Sequence, residues 1–216
     1  MGPQPEGAPE TIIYVIRHGE TLWNRERRFQ GQADAPLSEL GRRQAQVTAA
    51  YLAQSKLSAI YASDLSRARD TAETIARATG VSPVVLDAAL REARFGVWEG
   101  KTVEEVYAAY PREAALWRAD SVNYRPEGGE RLEEVYERSL GLFRRLIVAC
   151  PGGEVAIVTH GGPIKSLVCY ALGAPLSAFR HIQLDNCSIT TLRHTTPDGI
   201  LAVLGLNDRC HLSGPL

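Results

Sequence analysis

The sequence contains no apolar run approaching the roughly 20 residues needed to cross a membrane, so a membrane-spanning chain is excluded. It also lacks a surplus of either charge: 24 Lys and Arg stand against 25 Asp and Glu, a net charge of -1. Binding nucleic acid through a broad basic face requires clustered cations, and that class is set aside. Cysteine is scarce and scattered. Cys150, Cys169, Cys187 and Cys210 form no C-x-x-C pair and no Cys/His cluster at zinc-binding spacing, so reduced thiols and a cytoplasmic location are expected. There is no internal repeat and no low-complexity tract. Residues 1–10, rich in Pro and Gly, have no basic region followed by an apolar one; they read as a flexible arm rather than a secretory signal.

What remains is an ordinary globular composition, 44% hydrophobic and 23% charged, in 216 residues. Such a length buries a sizeable core without disulfide or metal staples, and one domain over residues 11–216 is expected. Thr11 to Ile16 is a short β-branched run that ends abruptly in Arg17-His18-Gly19, the profile of a buried strand emptying into a loop. Glu154 to Val158 repeats the pattern and ends in Thr159-His160-Gly161-Gly162. Further strands are expected at Ala59 to Ala62, Pro83 to Leu86, Ser188 to Leu192 and Leu201 to Leu206. Helical stripes follow Ser38 and cover Arg67 to Ala78, Leu132 to Cys150 and Ile164 to Leu172, with Ser63 to Ser66 offering cap chemistry. Between about 87 and 130 the pattern weakens into two short helices flanking Pro111, an insertion expected to cap something. This alternation predicts a three-layer α/β/α sandwich with a mostly parallel central sheet.

In open α/β sheets ligands collect beyond the carboxyl ends of the strands. Arg17, His18, Arg67 and His160 all follow predicted strands, so two guanidinium and two imidazole groups could meet at one pole of the sheet. They would repel one another unless an anion sat between them, and the Arg fork matches the oxygens of a phosphoryl group. With no carboxylate cluster at metal-ligand spacing, neither metal nor cofactor is called for; these side chains face the phosphoryl oxygens themselves. Neighbouring Arg charges keep an imidazole neutral and nucleophilic, a role that suits His18. Gly19 would let the phosphoryl group approach and the chain turn. An alkoxide leaving group needs a proton, and Glu92, among the apolar residues of Leu90 to Gly100, is the chosen acid, with Glu99 its rival.

Ile16-Arg17-His18-Gly19-Glu20-Thr21-Leu22-Trp23-Asn24 resembles the Arg-His-Gly signature of the histidine phosphatase superfamily, the phosphoglycerate mutase-like family. Phe29 to Asp34, Pro36 to Gly41, Ser63 to Ala68, the segment around Glu92, Pro126 to Glu130 and Thr159 to Gly162 recur in family order. The resemblance implies a phosphohistidine on His18, a phosphate pocket of Arg17, Arg67 and His160, and Glu92 as proton donor and later base. It also implies Asn24 and Gln30 as auxiliary phosphate contacts, with Gly31 and Gly161 at the substrate. Cofactor-dependent mutases of the family carry basic residues where this chain has Ala93, Ala119 after Trp117-Arg118, and Val103. Phe95-Gly96-Val97-Trp98-Glu99-Gly100 looks instead like the phosphatase branch. The expectation is hydrolysis of a small phosphorylated metabolite, with a mutase, or a domain that only binds phospholigands, as alternatives. The oligomeric state is left open, a homodimer included.

Among the other candidates, Ser63 orients the site or bonds within its turn, Arg69 is read as ion-paired, and His181, His194 and His211 as surface or structural residues. Trp98, Tyr107, Tyr110, Trp117 and Tyr124 of the insertion belong either to a core or to a substrate wall.

Overall fold

The computed structural model describes residues 9–196 and 199–214. Six strands form one sheet in the order β3-β2-β4-β1-β5-β6. They are β1 (Glu10–Arg17), β2 (Leu57–Ala62), β3 (Val85–Leu86), β4 (Glu154–Thr159), β5 (Ile189–Thr195) and β6 (Ile200–Asp208). The first four run parallel, while β5 lies antiparallel to both β1 and β6. The helices are α1 (Leu22–Arg25), α2 (Glu39–Leu52), α3 (Ser66–Thr79), α4 (Val103–Ala109), α5 (Pro111–Ala119), α6 (Leu132–Ala149) and α7 (Gly161–Ala171). The arm expected over residues 1–10 lies outside the described residues except at its end, where Glu10 already belongs to β1 and reaches Arg193 at 3.4 Å.

Side-chain alternation along β1 builds two cores, because successive residues of a strand point to opposite faces. Ile13 and Val15 join Leu140, Phe143, Ile157, Ile164 and Leu167 under α6 and α7. Ile16 faces the other way, with Leu52, Ile60, Ala72, Ile75 and Val158 under α2 and α3. The three-layer sandwich is thus the observed architecture. No helix among the described residues is long and apolar enough to cross a membrane.

Caps fix where the helices begin. Ser38 Oγ accepts from the Gly41 amide at 3.0 Å and starts α2. For α3 the expected local cap is replaced: Leu65 occupies the cap position, and the Ser66 amide donates to Asp34 Oδ1 at 2.9 Å. Pro111 is the first residue of α5, where its missing N–H costs nothing. A third, smaller core of Trp98, Val106 and Ala114, packed by Phe29, Phe95, Tyr110, Trp117 and Tyr124, holds the segment between 87 and 130 together.

Candidate active site

Strand register brings the two histidines together. Arg17 of β1 is the in-register neighbour of Thr159 of β4, so the next residues, His18 and His160, leave the sheet side by side. Their ring centroids are 5.0 Å apart, tilted by 58°. Arg67 arrives from the first turn of α3, directly after β2, and is fully buried. Its Nη1 and Nη2 donate to the carbonyls of Ala33 and Gly31 at 3.0 and 2.7 Å. Arg17 Nη1 donates to Leu184 O at 2.6 Å.

Other polar atoms of these side chains have no such bond. Arg17 Nε, Arg67 Nε and both ring nitrogens of His160 are buried and have no hydrogen-bond partner among the described residues. Unpaired buried donors are costly unless something bonds them, and donors converging in this way match the oxygens of an anion. Burial pulls the Arg67 pKa down to about 10, although the carboxylates of Glu92, Asp34 and Glu99 oppose the shift. Burial also lowers Arg17, with Glu92 and Asp185 opposing.

His18 is 3% exposed. Its Nδ1 lies 2.7 Å from the carbonyl oxygen of Gly19. Because that oxygen can only accept, Nδ1 carries the ring proton and Nε2 keeps its lone pair. Burial, then the charges of Arg67 and Arg17, hold the imidazole well below the usual value of 6.5, so it is neutral. His160 is lowered well below that value for the same reasons.

Glu92 is half-buried, with Oε1 accepting from the amides of Ala93 at 2.8 Å and Gly162 at 3.0 Å. Its backbone is fixed as well. Arg138 of α6 donates to the carbonyls of Ala89, Arg91 and Glu92 at 2.8, 2.7 and 2.9 Å and pairs with Glu130 at 3.1 Å. Glu99 Oε1, by contrast, accepts from the amides of Gln32 and Phe95 at 3.0 and 2.9 Å and ties two loops together. Gly31 is required beside it, with φ at 55° and a Cβ that would stand 2.1 Å from Glu99 Oε1.

Asn24 and Gln30 are held by hydrogen bonds from neighbouring loops. Asn24 Oδ1 accepts from Asn186 Nδ2, which also donates to His18 O at 3.0 Å, and Thr21 Oγ1 bonds Gln30 Oε1 at 3.0 Å. Gly19 also has a packing role that the sequence pattern does not reveal. A Cβ there would meet the Gly41 carbonyl oxygen at 2.5 Å, and one on Gly41 would meet Glu20 O at 2.0 Å, so the glycine serves the seating of α2. Ser63 Oγ accepts from the Leu65 amide, a bond within its turn. Arg69 pairs with Asp70 at 3.3 Å. His194 lies opposite Thr11, near the far end of β1, and His211 stacks on Tyr51, so neither joins the cluster.

A cavity of about 200 Å³ opens beside these groups. Arg17, Glu92, Gly161 and Gly162 line its inner side, and Phe95, Trp117, Tyr124 and Phe179 its walls. Trp98 and Tyr110 are in the small core instead, and Tyr107 is exposed. Lys165 and Ser121 also line the cavity, and the sequence reading passed over both. Lys165 stands four residues after Gly161, hence on the same helix face, which is the signal that could have found it.

The model of the histidine phosphatase superfamily (branch 1) matches residues 13–208. A protein of Cronobacter sakazakii named probable phosphoglycerate mutase GpmB is 37% identical over 210 residues, covering 94% of this chain and 95% of that one. A solved mycobacterial glucosyl-3-phosphoglycerate phosphatase complexed with VO3 superposes with a TM-score of 0.83 at 34% identity, covering 94% of this chain and 100% of that one. A phosphoserine phosphatase mutant from Entamoeba histolytica in complex with phosphoserine gives 0.80 at 29% identity, covering 94% and 99%.

Proposed function

Because the chain belongs to the histidine phosphatase superfamily, we propose that it hydrolyses small phosphomonoesters in two steps through a phosphohistidine on His18. The observation that carries this reading is the bond from His18 Nδ1 to Gly19 O, which leaves Nε2 unprotonated beside open cationic groups. In the first step Nε2 forms a bond to phosphorus while the ester P–O bond breaks. Glu92 passes its proton to the leaving alkoxide. In the second, Glu92 takes a proton from water, the water oxygen bonds to phosphorus, and the N–P bond breaks to release inorganic phosphate and neutral His18.

Arg17, Arg67 and His160 supply the hydrogen-bond donors around the phosphoryl oxygens, fixed before the reaction so that little reorganisation is needed. With this charge in place the reaction is proposed to need no metal. Asn24, Gln30 and Gly31 contribute through the loop that holds Arg67 and the Asn186 contact. The mutase reading is favoured by the name of the Cronobacter relative. It differs in the fate of the phosphoryl group, which returns to substrate rather than passing to water.

Rapid alkaline quenching during turnover, followed by digestion and mass spectrometry, should place a phosphoryl group on His18. His18→Ala should abolish turnover, and EDTA should leave it intact. Isomerisation of 3-phosphoglycerate without net phosphate release would establish the mutase instead. Loss of activity to EDTA with restoration by a divalent ion would overturn the mechanism.

A further inference from the structure

The His18 ring is aimed by a local bond, from Nδ1 to Gly19 O at 2.7 Å, so the direction of Nε2 follows the backbone path through Arg17, His18 and Gly19. One segment, Leu184 to Ser188, grips that path. The Arg17 amide donates to Ser188 O at 3.2 Å, and the Cys187 amide donates to Arg17 O at 2.9 Å and to His18 O at 3.3 Å. Asn186 Nδ2 donates to His18 O at 3.0 Å, and Leu184 O accepts from the Arg17 guanidinium. The segment is an irregular corner before β5. Cys187 within it has φ at 54°, a left-handed conformation that a residue with a Cβ keeps only where its surroundings over-determine it.

The constraint comes from the last strand. Pairing of β5 with β6 shifts register between Ile189, opposite Asp208, and Thr191, opposite Gly205, so two steps on β5 meet three on β6. Such an extra residue is a β-bulge, which bends its strand and re-aims a side chain. Asn207 lies there, also with φ at 54°. Its Oδ1 accepts from the Asp185 amide at 2.7 Å, and its Nδ2 donates to Asp185 Oδ2 at 2.9 Å. Asp185 O accepts in turn from the Ser188 amide at 3.1 Å and closes the corner.

We propose that Asn207 and Asp185 are positioning residues for the nucleophile, the β6 bulge holding the corner that sets the line of attack of His18 Nε2. Neither takes part in the two chemical steps above; both act through the backbone of Arg17 and His18. Two left-handed residues other than glycine, coupled through one reciprocal pair, are an over-determined way to make a turn and a direct way to fix the path it grips. Asp185 Oδ2 also meets Arg209 Nε at 3.2 Å, but that arginine is more than half exposed, and exposed ion pairs contribute little. The bonds to Asn207 carry the hold. The proposal rests on His18 as the group that receives phosphorus, whereas the placement of its ring can be read without turnover.

Asn207→Gly keeps the left-handed backbone and deletes both side-chain bonds. In single-turnover experiments with 4-nitrophenyl phosphate, phosphorylation of His18 should slow by about 10- to 100-fold, the effect of a misplacement of about 1 Å. Asp185→Asn, whose side-chain oxygen still accepts from Asn207, should keep most of the rate, and Asp185→Ala should lose it. If Asn207→Gly does not fold, Asp185→Ala, which keeps the bond from its own amide to Asn207, carries the comparison. Nitrogen-15 NMR of the His18 ring should show a proton on Nδ1 alone in the wild-type protein and a mixture of tautomers in Asn207→Gly and Asp185→Ala. A lower Tm with rate and tautomer both kept would make the pair purely structural and overturn the proposal. Equal losses in Asp185→Asn and Asp185→Ala would overturn it too, by assigning the effect to charge. A wild-type protein that forms no phosphohistidine would remove the nucleophile reading, and the tautomer comparison would still decide whether the pair places the ring.

Discussion

His18 and His160 face each other at 5.0 Å between ring centroids, both buried and both kept neutral by burial and by the charges of Arg67 and Arg17. A proton on either ring would stand beside two guanidinium groups. The free-enzyme pH profile of kcat/KM should therefore stay level as pH falls to 6.5 and drop only below it, with apparent values that belong to the coupled pair. The same shifts fix the sign for stability. The unfolded imidazoles take up protons from about pH 6.5 downward while the folded ones do not, so the contribution is complete above 6.5 and is lost as pH falls towards the folded values. Thermal melts between pH 7.5 and 5 should show a falling Tm, with a shallower slope in His160→Gln. An acid limb at or above 6.5 would contradict the neutral nucleophile.

Glu92 touches the Gly162 amide at the start of α7, which aims its carboxyl towards the same pole as His18. As proton donor it matters most when the leaving alcohol is basic. Glu92→Gln should lower kcat for an alkyl phosphate by about 10²- to 10⁴-fold, the usual range for general acid catalysis. The rate of the first step, phosphorylation of His18, should fall much less for 4-nitrophenyl phosphate, whose leaving group needs no proton, while the second step, with Glu92 as base, slows alike for both esters. Equal losses in the first step would assign Glu92 to binding rather than to proton donation.

How much of this was visible in the chain beforehand depends on sequence distance. The β-branched runs before Arg17-His18 and Thr159-His160 gave away both strands, because buried parallel strands are continuously apolar, and the alternation around them gave the three layers. The helices over 132–149 and 103–119 were legible from periodicity and Pro111. The capping of α3 by Asp34 was not, since it joins residues 32 positions apart. Gly19 has a second reason to be glycine that no local pattern carries: a Cβ there would run into the carbonyl of Gly41, 22 positions further on. Arg138 gave no local sign at all, being one of several arginines on an amphipathic helix. Its three carbonyl acceptors lie 46 to 49 positions earlier in the chain.

That guanidinium is a positioning device with a measurable effect on the acid. Arg138 is mostly buried and spends its donors on Ala89, Arg91, Glu92 and Glu130, fixing the carbonyl of the residue that must deliver a proton. Arg138→Lys keeps the charge but cannot reach all these acceptors at once. Its kcat for alkyl phosphates should drop about 10- to 100-fold, in keeping with the sensitivity of catalysis to small misplacements. The first-step loss for 4-nitrophenyl phosphate should be smaller, as for Glu92→Gln, and KM should move little. A purely structural role would lower both substrates alike.

The two tryptophans of the small third core should separate stability from selectivity. Trp98 is 1% exposed and packs edge-on against Trp117 at 5.9 Å between ring centres, but only Trp117 reaches the cavity. Trp98→Ala removes a fully buried indole and should cost about 3–5 kcal/mol, read as a lower denaturation midpoint. Trp117→Ala opens the substrate wall, so the ranking of phosphate esters by kcat/KM should change, with bulky esters gaining on small ones. Tyr110→Ala, in the core but off the cavity, should follow Trp98 in weakening the fold while leaving that ranking alone. If Trp117→Ala preserved the order of substrates, its ring would belong to the core in function as well as in packing, and selectivity would fall to the groups on α7.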